Sequence, residues 1–138
     1  DLLMETDGDI VLVADAMWQE RDPNPQSRLR DLVQCQEPFT TKYLDEDEVQ
    51  LTSIGHDFAA DDIQGEWIGL AKFSDAGAER VRAEIAAMQG DGTATEASMI
   101  DLFERLIQSG ETIHVIYISG HWLDIDNADD LADAQKFL

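Results

Sequence analysis

Basic side chains are scarce in this chain. Nine Lys and Arg stand against 30 Asp and Glu, a formal net charge of −21, and the lysines are only Lys42, Lys72 and Lys136. A surface of that sign repels nucleic acid and anionic membrane, so neither is an expected partner. It also repels a nucleoside triphosphate unless metal ions intervene, so any phosphate chemistry should depend on Mg²⁺. Most of these carboxylates are expected to form a solvated surface without catalytic meaning, and scattered Asp with scarce Lys suits a saline habitat. Long hydrophobic runs are missing too. The longest, Ile10 to Ala14 and Val115 to Ile118, fall far short of the about 20 apolar residues that a membrane-crossing helix needs, and no signal-peptide pattern is visible. Cysteine is nearly absent: Cys35 has no partner for an internal disulfide, which fits a reducing compartment, and a cytoplasmic location is expected. Cys35 falls in an expected strand, where it reads as a small core hydrophobe rather than a nucleophile. The three histidines are scattered, with no zinc spacing. Repeats and low-complexity segments are absent as well.

What is present is the composition of a folded domain. Hydrophobic residues make up 43% of the chain and aromatics 7%, in short apolar runs separated by charge, and residues 1–138 fit one domain. Asp1 to Thr6 reads as a last helical turn, followed by the turn signal Asp7-Gly8. Asp9 to Ala14 is β-rich without alternation, as a strand buried on both faces would be. Arg21 to Ser27, with Pro23 and Pro25, is an expected loop. Strands are expected at Leu29 to Gln36, Glu48 to Ile54 and Glu66 to Phe73, with the acidic turn Asp45-Glu46-Asp47 before the second. Gly69 inside the third suggests close approach of backbone or ligand.

Two helices follow. Ser74 or Asp75 caps the first, whose stripe is Ala78, Val81, Ile85 and Met88, and Gly90-Asp91-Gly92 ends it. Ser98 with Asp101 resembles a capping box, and Met99, Leu102, Phe103 and Leu106 form the second stripe up to Gly110. Both stripes read as core. His114 to Ser119 is a further strand, broken by Gly120, and Asn127 caps a last helix with Asp129 and Asp130 in its first turn. Strands separated by helices predict an α/β fold with a mixed sheet covered on both faces.

The segment His121-Trp122-Leu123-Asp124-Ile125-Asp126-Asn127 carries the clearest chemical signal. In an extended chain residues i and i+2 point the same way, so Asp124 and Asp126 would present two carboxylates together. Their repulsion is resolved by a hard divalent cation, and Mg²⁺ takes one or two carboxylates while phosphates and water complete its octahedron. The spacing alone favours the alternative, in which one Asp caps the helix while the other is solvated. His121 could donate to a phosphate oxygen or serve packing. His56 fits a surface loop or a phosphate ligand, Asp15 a site residue or a turn, and His114 a structural role.

Three segments carry a resemblance. GHWLDIDNADDLADAQKF at 120–137 resembles the end of a nucleotidyltransferase domain, where a Trp-x-Asp/Glu-x-Asp motif precedes an acidic helix start. GEWIGLAKFS at 65–74 resembles that family's substrate-side strand, and DIVLVADAMW at 9–18 a strand shortly after its first metal-binding Asp. The likeness is greatest to the nucleotidyltransferase domain fused to phosphoenolpyruvate phosphomutase in phosphonate biosynthesis, then to phosphocholine and aminoethylphosphonate cytidylyltransferases. It covers essentially the whole chain.

The resemblance implies a three-layer α/β/α fold with a mixed, mostly parallel sheet, the C-terminal portion of a nucleotide-diphospho-sugar transferase-like fold. It implies transfer of a nucleotidyl group, with CTP the expected donor. A phosphonate or phosphate oxygen attacks the α-phosphorus and pyrophosphate leaves, by alignment and charge neutralisation rather than a covalent nucleophile. Asp124 and Asp126 match the metal-binding acids for Mg²⁺. Gly65 and Glu66 match the motif beside the acceptor pocket, and Trp67 could flank an ammonium head group. His56 stands where related enzymes often have a Lys for the acceptor phosphate. Nothing matches the family's Gly-rich triphosphate loop or its upstream Gly-Asp. The chain is therefore expected to lack an N-terminal nucleotide-binding part and to be inactive alone, with an exposed sheet edge that favours a homo-oligomer. The rival expectations are a sugar-1-phosphate nucleotidylyltransferase and a non-catalytic assembly domain of a mutase fusion.

Overall fold

The structure is a computed structural model describing residues 2–21, 30–39, 49–120, 125 and 128–136. A one-turn helix, α1 (Leu2–Glu5), leads through Gly8, at φ 127°, into β1 (Ile10–Asp15). The helical turn α2 (Trp18–Arg21) follows. Next come β2 (Leu32–Cys35), β3 (Val49–Gly55), a 3-10 turn at Ala60–Asp62 and β4 (Gly65–Phe73). The helices α3 (Asp75–Asp91) and α4 (Met99–Gln108) precede β5 (His114–Ile118), and α5 (Ala128–Ala134) comes last. The expected Arg21–Ser27 loop from residue 22 onward, the acidic turn at 45–47 and the Asn127 cap lie outside the described residues.

The strands close into a barrel in the order β1-β4-β2-β3-β5, with β5 returning to β1. β1 and β5 are parallel, Val11 opposite His114 and Asp15 opposite Ile118, while the other four pairings are antiparallel. This overturns the expected three-layer α/β/α architecture with its mostly parallel sheet. Parallel layers require a helix between successive strands. Here α3 and α4 fall in a single connection, between β4 and β5, so β2, β3 and β4 are left to pair antiparallel. Closure also removes the free strand edge on which self-association was expected to rest.

All six residues of β1 are buried, as its unbroken apolar run requires. Ile10, Leu12 and Ala14, at the strand's period of two, join Val33, Leu51, Ile54 and Val115 in one core with Phe103 and Leu106 of α4. Each large apolar side chain buried there contributes roughly 1.5–3 kcal/mol. The helix α4 buries Ile100, Leu102, Phe103 and Leu106, whereas the longer α3 buries only Gly77 and Met88, so α4 is the better anchored of the two. Its apolar stripe begins at Ile100; Met99 points to solvent, 45% exposed. The Ser98 capping box is present, and Glu104 fastens α4 to β3 by accepting from Ser53 Oγ at 2.6 Å and Ile54 N at 2.5 Å.

The start of α3 is held against β1. Ser74 caps the helix and donates its hydroxyl to Asp9, and Arg80 Nη1 reaches the same carboxylate at 3.0 Å. These contacts, led by the Ser74 hydroxyl, hold the Asp9 carboxyl below its ordinary value. Between α3 and α4, Arg105 binds Glu84 at 2.8 Å, Asp91 at 2.7 Å and Thr93 at 3.0 Å.

Gly69 has an explanation other than the approach of a ligand. Leu12 pairs with Ala71 and Ala14 with Trp67, so β4 carries two extra residues over that span. Gly69 sits in the bulge at φ 86° with nothing within 4 Å of where a Cβ would stand. Trp67 Nε1 donates to Leu70 O at 2.9 Å within it. Among the described residues no helix is long and apolar enough to cross a membrane.

Candidate active site

β4, β1 and β5 are neighbours in the barrel, and the three segments that carry the resemblance lie on them or directly after them. The first two, and Gly120 at the start of the third, meet where β1 ends. Asp15 is fully buried there, opposite Glu66 of β4 and Ile118 of β5. Its Oδ1 accepts from Met17 N at 2.9 Å, the local turn that ends the strand, and from Gly120 N at 2.9 Å. Gly120, at φ 76°, adopts a left-handed conformation that suits glycine and turns the chain out of β5. One carboxylate oxygen thus ties the first of the three segments to the last.

The second segment is joined by close packing. A Cβ on Gly65 would stand 3.0 Å from the Asp15 carbonyl oxygen, so the glycine lets β4 come against the end of β1. Glu66, 2% exposed, lies opposite Asp15 on one side and Leu32 of β2 on the other. Its Oε2 is 3.8 Å from Nη1 of Arg30, itself 5% exposed. Arg30 Nη1 also donates to Trp18 O at 3.2 Å, and the guanidinium sits 5.5 Å from the centre of the Trp18 ring, within cation–π range. A buried carboxylate beside a buried guanidinium avoids the cost of an isolated charge.

His56 lies at the same end. Its Nδ1 is 2.8 Å from the Arg30 carbonyl oxygen, which accepts from the Nδ1–H tautomer, and 3.7 Å from Asp31. His56 therefore contacts the residues that lead into β2, while Gly65 and Glu66 pair with Val33 and Leu32 of β2 itself. Trp67 turns the other way: its ring packs edge-on against Phe103, centroids 5.2 Å apart at 88°, on the core side of β4. Trp67 N donates to Asp31 O at 2.7 Å, which fastens β4 to the approach of β2. Asp124, Asp126 and His121 lie outside the described residues.

The described carboxylates at this end are already engaged, Asp15 by two backbone amides and Glu66 by Arg30. No group of three His, Cys, Asp or Glu assembles as a ligand set among the described residues. Arg30 lies outside the three segments, and Trp18 ends the first of them without a role implied by the resemblance. The signal that could have found Arg30 is an arginine within an expected strand of a chain so poor in basic residues. Compared with protein-family models and with curated proteins, the chain matches none.

Proposed function

We propose that this chain is part of a Mg²⁺-dependent nucleotidyltransferase that moves a cytidylyl or related group from a nucleoside triphosphate to a phosphonate or phosphate acceptor, with release of pyrophosphate. One observation carries the reading. Asp15 of the first segment pairs with Glu66 of the second and accepts a hydrogen bond from Gly120, the residue at which the third begins. The reading rests on that meeting and on the motifs, and not on the layered fold the resemblance implied.

In this reading Asp124 and Asp126 hold Mg²⁺, whose charge would neutralise phosphate oxygens in an otherwise repulsive chain. Glu66 and Gly65 form the floor beside the acceptor, with Arg30 keeping the buried Glu66 compensated. His121 offers a donor beside the acids, whereas the Nδ1–H of His56 is already given to the Arg30 carbonyl.

A second reading, a non-catalytic assembly domain, draws on a specific feature: Asp15 is engaged by two backbone amides, and Glu66 is paired with Arg30. A structural knot needs no more than that. Titration calorimetry with CTP, aminoethylphosphonate, phosphocholine and a hexose 1-phosphate, each with and without Mg²⁺, separates the readings. Mg²⁺-dependent binding that is lost in Asp124→Asn and Asp126→Asn supports transfer, and the preferred acceptor distinguishes a phosphonate from a sugar-phosphate enzyme. Because the acceptor side is the part this chain is expected to carry, failure of all three acceptors to bind to a protein that folds would leave the assembly role.

A further inference from the structure

We draw no further inference here: the strongest candidate, the open groove of about 650 Å³ between the end of α3 and α4, is an acidic cluster whose Asp101 and Glu104 already serve Ser98, Ser53 and Ile54, and nothing else in the structure points to a ligand there.

Discussion

At Arg30 a guanidinium has been taken out of water and set 3.8 Å from a carboxylate that is equally buried, so removing either member leaves the other's charge in a poor environment. Arg30→Met should lower unfolding free energy by about 3–5 kcal/mol, read from urea denaturation. Adding Glu66→Leu to it should recover much of the loss; a double variant no more stable than the single one would show that the pair is not the cause. Cys35 makes a different point. Burial, opposed more weakly by a hydrogen bond with Tyr117, pushes its thiol up to about 11, so almost no thiolate exists at neutral pH. Alkylation of the folded protein by iodoacetamide should be much slower at pH 7.5 than that of a cysteine peptide. Equal rates would contradict the burial that sets this value. Gly77 is fixed by space: a Cβ there would stand 2.0 Å from the Asp9 carbonyl oxygen. Gly77→Ala must therefore push α3 away from β1, at a cost of about 1–3 kcal/mol, measurable as a lowered denaturation midpoint.

The link between α3 and α4 is electrostatic as well as apolar. The Thr93 hydroxyl first, then Arg105, hold the Asp91 carboxyl down at about 2 against an ordinary 3.8. A carboxylate depressed in the folded state stabilises it fully above the unfolded value, and that contribution disappears as pH falls through the folded one. The stability gap between wild type and Asp91→Asn should thus be present at neutral pH and close between 3.8 and about 2. A gap unchanged across that window would mean that the Asp91 charge does not matter to the hairpin.

Individual elements were legible where local chemistry decides them. The unbroken apolar run of β1, the Ser98-to-Asp101 capping box and the glycine at 92 that closes α3 each sit where patterning places them. Leu102, Phe103 and Leu106 of the α4 stripe are buried as expected and only its first member differs, because Met99 and Ile100 are both apolar and only packing against the barrel selects Ile100. The two-residue bulge around Gly69 was misread because a glycine in a strand does not reveal whether it yields to a neighbour or to backbone curvature. At the candidate site, no sequence spacing could place Arg30 beside Glu66 or His56 against the Arg30 carbonyl. Those contacts depend on how β2, β3 and β4 pair, which is a property of the sheet.

Architecture is set at the level of the whole molecule, and there the sequence is ambiguous in a definable way. A strand buried on both faces fits the middle of a layered parallel sheet. It fits equally a small barrel whose interior is filled and whose exterior is covered, and consecutive placement of α3 and α4 decides for the barrel. The charge acts at the same scale. A net −21 disfavours compaction through self-repulsion that salt screens over roughly 10 Å at 0.1 M. The melting temperature should therefore rise with added KCl; a flat response would mean that the acids are spaced widely enough not to oppose folding. Closure itself has a consequence in time. The ring is completed by β5 against β1, partners far apart in sequence, and distant pairings form slowly because chain entropy must be lost first. During synthesis the last strand leaves the ribosome long after the first. Until then the nascent protein would expose one open flank of β1, the interval in which a chaperone would have something to hold.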